Sequence, residues 1–464
     1  MTKGDIHKEL IDLHKKYGPV VRVAPNVINV DYPELIKKVF TIKDDWKKTE
    51  YYLASSALVD GKIVYNLFSQ LDKTSHHQQK KPVAKFYSPT GVASVEPHVD
   101  KILTQLCHEL DTRFLSGPSP QTSSKGIDLG RWILYYTWDV VGAITFSAPL
   151  GYLSSGCDFD STLENAEKAL DYFAWVGCIP FLDHVFDKNP IYRLGPPGFG
   201  GITNISIQRL VARYQGLDKD YHDAQKPDYL DRFIEAKKAN PESVDDNQIV
   251  GWLMINMIAG ADTTAIVIRS AVYYCLKEPR IWMRLRDELD RAGLAKDQAP
   301  LGYKDVRGIA YLEGIVREAL RILPGVSGTL ERYVPAGGVS LPDGSFVPEG
   351  CILGFNAYVL GRNREVWGDD AEEFKPERWL KKKEETEEEY QARLKAMNGA
   401  DLSFGGGSRI CLGMHMGLLQ VYKVVATLAV CYDVELVDRE KEWKVINSFF
   451  ARQEGLVVNM RKRG

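Results

Sequence analysis

The sequence predicts a mainly α protein with a small β-sheet region on one side, folded as one domain over residues 1–464. Three observations carry this reading. Apolar residues at helical spacing dominate from roughly Pro33 to Ala292. Runs of β-branched residues broken by turn residues are confined to a short stretch near the start and to the last third of the chain. No Pro-, Ser- or Gly-rich stretch is long enough to link independent domains, and 464 residues suffice for a large core.

Taken in order, "DIHKELIDLHKKYG" is an amphipathic helix with Ile6, Leu10 and Leu13 on one face. "PVVRVAPNVINVDYP" reads as two short strands, broken by Pro25-Asn26 and ended by Pro33. The helical body follows, with loops expected at "SGPSPQTSSKG" and "GPPGFGG". Inside it, Trp252 to Leu276 is long and apolar enough to cross a bilayer. Asn256, Asp262 and Arg269 would be costly in lipid, so the stretch is predicted to be a central buried helix. More helix leads to the strand-and-turn run "ERYVPAGGVSLPDGSFVPEGCIL", an irregular stretch to about Asp401, and a last helix with strands. "KKKEETEEEYQARLK" is expected to be a solvated charged helix or loop.

Charge narrows the partners. With 59 basic and 62 acidic residues the net charge is −3, which points away from nucleic acid. Seven cysteines are scattered, with no C-x-x-C or C-x-x-C-H, which implies a reducing compartment and no covalently attached c-type haem.

One cysteine stands apart. In "LSFGGGSRICLG", residues 402–413, three glycines and Arg409 precede Cys411, and "LGMHMGLLQVYKVVATLAV" has the pattern of a buried helix starting there. A helix N-terminus favours a thiolate through its dipole and free N–H groups. Glycines at positive φ let amides turn toward the sulfur and let a flat ligand lie on the loop. A lone buried cysteine is ordinarily inert, and a zinc site on Cys411 and His415 would lack a second ligand pair. Phe404, Gly407, Arg409, Cys411 and Gly413 spell F-x-x-G-x-R-x-C-x-G, which resembles the haem-binding motif of the cytochrome P-450 superfamily. The resemblance implies the cytochrome P-450 fold and a non-covalent haem b, iron protoporphyrin IX, with Cys411 as its axial thiolate.

Further motifs fit the same resemblance. Glu318 and Arg321 in "EALR", with Arg378 in "FKPERW", resemble the family's structural triad, which holds the irregular segment beneath the haem. "AGADTT" at 259–264 resembles its oxygen-activation groove, implying room for dioxygen at Ala259 and Gly260 and a proton relay through Asp262 and Thr263. Taken alone, those polar residues would read as a buried cluster in which threonine bonds back to a carbonyl. "SHHQQKKPVAKFYS" resembles the propionate-binding segment, in the register His76 and Lys80 rather than His77 and Lys81, with Arg332 as a further propionate partner. Lysine in place of the commoner arginine removes the bidentate form of that contact.

By resemblance, substrate-facing positions are the loop "SALVDGKIVYNLF", Ile255, Ala259, "GVSGT" with Val326, Phe449 and Phe450. Their apolar character suggests a hydrophobic or aromatic small molecule. The layout is closest to fungal microsomal members, including the pisatin demethylase-like group. The expected activity is O2-dependent hydroxylation or O-demethylation in fungal specialised metabolism. Alternatives are a haem-thiolate peroxygenase or isomerase, against which Asp262 and Thr263 argue, and a non-catalytic haem-binding protein. With no G-x-G-x-x-G or Walker motif in the sequence, electrons are expected from a separate NADPH-cytochrome P-450 reductase, with cytochrome b5 as a second donor. Lys80, Lys81 and Lys85 are assigned to its docking face. Such relatives carry an N-terminal membrane helix ahead of a segment like "DIHKEL", here close behind Met1. The full-length protein is therefore expected on the cytosolic face of the endoplasmic reticulum, touching it also through "VGCIPFLDHVF".

Overall fold

The computed structural model describes residues 4–42, 46–59, 61–115, 126–189, 191–195 and 198–464. Helix α1 (Ile6–Tyr17) leads into strands β1 (Val20–Ala24) and β2 (Val27–Val30). The stretch from 56 to 68 contains a hairpin of β3 (Ala57–Val59) and β4 (Lys62–Val64), where the sequence suggested only a loop. Its strands are too short for a period to show. Helices α2 (Lys73–Lys80), α3 (Glu96–Leu110), α4 (Leu129–Phe146), α5 (Thr162–Val176), α6 (Gly200–Gln215) and α7 (Tyr229–Ala239) follow. The loop expected over 116–126 lies outside the described residues except for Gly126, and that over 195–201 is described only in part.

The predicted central helix is two successive segments, α8 (Asp246–Gly260) and α9 (Asp262–Lys277), interrupted at Ala261. It is mostly buried, as is the late apolar helix, so membrane-like hydropathy here reflects a core position. Next come α10 (Pro279–Arg291), α11 (Ala310–Ile322), β5 (Thr329–Tyr333), β6 (Ile352–Asn356) and α12 (Glu387–Ala400). Helix α12 takes in residues 387–395 of the charged segment, is opened by a capping box between Thr386 and Glu389, and buries Met397 and Ala400 beyond it. The chain ends with α13 (Met414–Cys431) and strands β7 (Tyr432–Leu436), β8 (Lys444–Ser448), β9 (Phe450–Glu454) and β10 (Val457–Lys462).

Helix α4 is apolar on every side, and all its residues except Arg131 are buried. It packs with α3, α8 and α9, while α9 also meets α11 and α13. These helices form the main core. At one edge lies a four-stranded sheet ordered β1–β2–β6–β5, with β2 and β6 parallel and the other pairs antiparallel. A second, smaller core joins this sheet to Phe40, Trp46 and Leu402. Both cores end on one internal cavity.

Candidate active site

The cavity, about 310 Å³, lies within the size range of small-molecule sites. Many regions of the chain supply its walls, with most of the sequence-predicted site residues among them. Ile255, Ala259, Gly260 and Thr263 come from the α8–α9 helix, and Val326, Phe449 and Phe450 from the segments joined by a bridge between Val326 and Phe450. His76 and Lys80 come from α2, and Phe404 to Gly406, Arg409, Cys411 and Gly413 from the loop before α13.

That loop is built for a sulfur. Gly405 (φ +69°) and Gly407 (φ +61°) both sit in the left-handed region. A Cβ on Gly407 would lie 2.5 Å from the Phe40 carbonyl oxygen, so only glycine passes there. The Cys411 N–H donates to the Phe404 carbonyl at 2.9 Å, closing the loop. The helix begins at Met414, three residues later than a start at Cys411, and this places the amides of Gly413 and Met414 as donors to the sulfur. Cys411 is exposed although its sulfur is deep in the protein: its accessible face turns to the cavity. Burial pushes the thiol above its ordinary pKa, while the Gly413 amide, the Lys80 ammonium and the Met414 amide oppose that shift.

A cationic wall adjoins the sulfur. His76 is buried and faces the cavity, whereas His77 and Lys81 are exposed, so the structure places His76 and Lys80 together there. Burial, aided by Arg409, Lys80 and Lys48, drives His76 down to about 3, which keeps its ring neutral. Lys80 donates to the Ser408 carbonyl at 3.1 Å. It therefore turns inward and is no part of the outer basic face assigned to it with Lys81 and Lys85. Arg332 donates to the Glu331 carbonyl at 2.7 Å and lies over the Phe40 ring. Arg409 reaches the carbonyls of Gln70 and Leu71 at 2.6 and 2.9 Å, which fixes the guanidinium at the cavity edge.

Sequence reasoning missed Lys48. Its ammonium donates to the Phe68 carbonyl and lies 3.8 Å from the centroid of the Tyr52 ring, and Lys48 forms an isolated bridge with Arg332. Burial holds it well below its ordinary pKa, with Arg332 and Arg409 adding repulsion. Lys48, Lys80 and Arg332 have no carboxylate partner among the described residues, so the wall is suited to an anionic group. The spacing of four between Lys48 and Tyr52 was the one local hint.

Opposite chemistry lines the helix. The Thr263 hydroxyl donates to the Ala259 carbonyl at 2.7 Å and borders the cavity. Asp262, one residue earlier, points elsewhere: it is buried and its Oδ1 accepts the indole N–H of Trp138 at 3.3 Å. The structure thus places Thr263 on the cavity and Asp262 behind it. Phe449 packs edge-on against Phe68 and Phe173 over the apolar part, with Phe173 and Phe449 centroids 5.1 Å apart, and Phe68 lies tilted to Phe173. Phe449 holds φ +74°, and its carbonyl accepts the amides of Ser327 and Gly328 at 3.0 Å each, which stabilises this sparsely populated backbone. Phe173, on α5, was not foreseen, because an aromatic on an amphipathic helix reads as core.

Away from the cavity, Glu318 is fully buried and gathers Arg321 (2.6 and 2.9 Å), Arg378 (3.3 Å) and the Trp379 indole (2.8 Å). Arg321 also donates to the carbonyls of Gly361 and Ala371 at 2.6 Å and of Glu373 at 2.7 Å. The three motif residues therefore meet, and they pin the irregular 361–379 segment to α11.

The family model described as cytochrome P450, written P-450 here, matches residues 1–460. The chain belongs to the cytochrome P-450 family. It is 44% identical over 462 residues to cytochrome P-450 monooxygenase cfoH of Aspergillus candidus, covering 99% of this chain and 84% of that protein. A cytochrome P-450 monooxygenase of Aspergillus terreus is 34% identical, covering 93% of this chain and 85% of its own length. Cytochrome P-450 monooxygenase cicH of Emericella nidulans is 32% identical across 100% of this chain and 90% of its own. As a cytochrome P-450 monooxygenase the protein is an oxidoreductase. Its family implies a haem cofactor with a thiolate ligand, a redox partner, dioxygen and a hydrophobic substrate.

Proposed function

We propose that this protein holds haem b on Cys411 and oxidises a hydrophobic small molecule of fungal specialised metabolism by hydroxylation or O-demethylation. The observation that carries the reading is the Cys411 sulfur, held between two backbone donors and facing an apolar cavity beside a cationic wall. Those residues suit a flat, dianionic cofactor. Lys48, His76, Lys80, Arg332 and Arg409 would hold its carboxylates, and the glycine loop with Phe404 and Gly413 would lie against its face. When bound, haem iron supplies activation of dioxygen for insertion of one oxygen atom into a C–H bond.

The chain's own residues then bind, orient and move protons. Phe68, Phe173, Phe449, Phe450, Val326, Ile255 and Ala259 hold the substrate and exclude water. Releasing the second oxygen atom as water consumes two protons, so a hydroxyl at the cavity and an acid behind it are needed. Thr263 provides the first and Asp262 the second. Glu318, Arg321 and Arg378 hold the scaffold beneath the site. Electrons come from an NADPH-cytochrome P-450 reductase with cytochrome b5 as a second donor, on a face that includes Lys81 and Lys85. Exposed Ile179, Phe181 and Ile191 support contact with the endoplasmic reticulum membrane.

The test is the carbon monoxide difference spectrum of the reduced protein beside that of Cys411→Ser. A strongly red-shifted Soret band in the wild type that is lost or moved in the variant is the expected result. A band typical of histidine ligation in both would overturn the assignment of Cys411.

A further inference from the structure

The Asp262 carboxyl is enclosed by protein, and among the described residues its hydrogen-bond partner is the indole Nε1 of Trp138, 3.3 Å from Oδ1. Trp138 lies in the middle of α4, one to two turns before the cavity-lining Val141, Ile144 and Thr145, and none of its surface is exposed. An indole N–H is a donor and never an acceptor. Of the two oxygens of a protonated carboxyl, the one without the proton is the better acceptor. We infer that Trp138 is a positioning residue that favours the Asp262 proton on Oδ2 and so biases which oxygen hands it on. This rests on the reading of Asp262 as the acid behind Thr263. When the proton leaves Oδ2, the carboxylate keeps its indole bond at Oδ1, and a proton from water restores the acid.

The surroundings agree with a carboxyl that exchanges protons near neutrality. Burial, partly offset by the Trp138 hydrogen bond, raises Asp262 to about 6. Charged groups face it from three elements: Glu167 on α5 raises it further, while Arg269 on its own helix and Arg452 on β9 lower it. The two arginines balance the acid without touching it, since Arg269 donates to the Gly130 carbonyl at 2.7 Å and Arg452 pairs with Asp171 and Glu167. Among the described residues the indole alone makes a directional contact with the carboxyl, so among them it alone distinguishes the two oxygens.

Infrared difference spectra of the purified full chain across pH test this directly, with no turnover required. The carbonyl band of protonated Asp262 is identified by its absence in Asp262→Asn. In Trp138→Phe, loss of a donor that favours the ionised form moves this band to higher wavenumber and its titration midpoint up by about one to two pH units. Should that variant not fold, replacing the indole at position 138 with benzothiophene preserves the ring shape, lacks the N–H, and predicts the same two shifts. An unmoved band and midpoint would reduce Trp138 to packing, and so would the absence of any protonated band in the wild type. The underlying relay fails separately, if Thr263→Ala remains fully coupled whatever the band does.

Discussion

Thr263 shows how one side chain serves two demands. Its hydroxyl proton goes to the Ala259 carbonyl beside the break at Ala261, and its oxygen borders the cavity with lone pairs still open. Thr263→Ala is expected to keep its haem spectrum and oxidise NADPH, but to divert most electrons to hydrogen peroxide. Peroxide and NADPH assays on one sample measure this, and unchanged coupling would remove Thr263 from the relay. At this scale the sequence was informative where chemistry is contiguous. The glycines, Cys411 and the start of the helix lie within a dozen positions, so a sulfur near a helix N-terminus could be read before any coordinates, but not that Gly413 and Met414 are its donors. Lys48 could not be read this way. It lies in a charged run, and the Arg332, Arg409 and Phe68 groups that give it meaning reach it only through folding. The direction in which Asp262 points was equally hidden, since neighbours on a helix diverge by about 100° and only the position of α4 shows what lies behind.

Among the elements, α11 owes its importance to one buried acid. Glu318 and Arg321 on one helical face were legible, whereas the main-chain carbonyls of Gly361, Ala371 and Glu373 that complete the guanidinium were not, because backbone acceptors leave no trace in side-chain pattern. Removing the charge from such a centre leaves Arg321 and Arg378 without their counterion at Glu318, at a cost of about 3–5 kcal/mol. Glu318→Gln is accordingly expected to lower the melting temperature markedly and to purify with depleted haem. Thermal unfolding with a haem-to-protein absorbance ratio would show this; a native ratio and melting point would mean that the hydrogen bonds suffice without the charge. The β3–β4 hairpin and the late start of α13 were misjudged for a related reason. Short strands and helix ends are set by neighbours more than by their own residues.

For the whole molecule, the α body with its edge sheet followed from periodicity and from where the β-branched runs fell. The cavity did not, since it forms where residues distant in sequence converge. Surface apolar groups are a second property of this scale. Ile179, Phe181, Ile191, Tyr192 and Leu194 are more than half exposed and belong to one stretch of chain. The double variant Phe181→Ser, Ile191→Ser is expected to float several-fold less with liposomes than the parent chain, at equal haem content. Equal flotation would place membrane contact elsewhere.

The cationic wall also bears on how much of this protein a cell can keep. Among the described residues Lys48, Lys80 and Arg332 have no protein carboxylate, while Arg332 and Arg409 repel Lys48 and Arg409 repels Lys80, a repulsion that an anionic cofactor relieves. A ligand that binds only the folded form adds to its stability by mass action. Abundance is then coupled to haem supply: under haem starvation the chain falls toward the threshold where quality control removes it. The features that seat the cofactor would thus also report whether it has arrived.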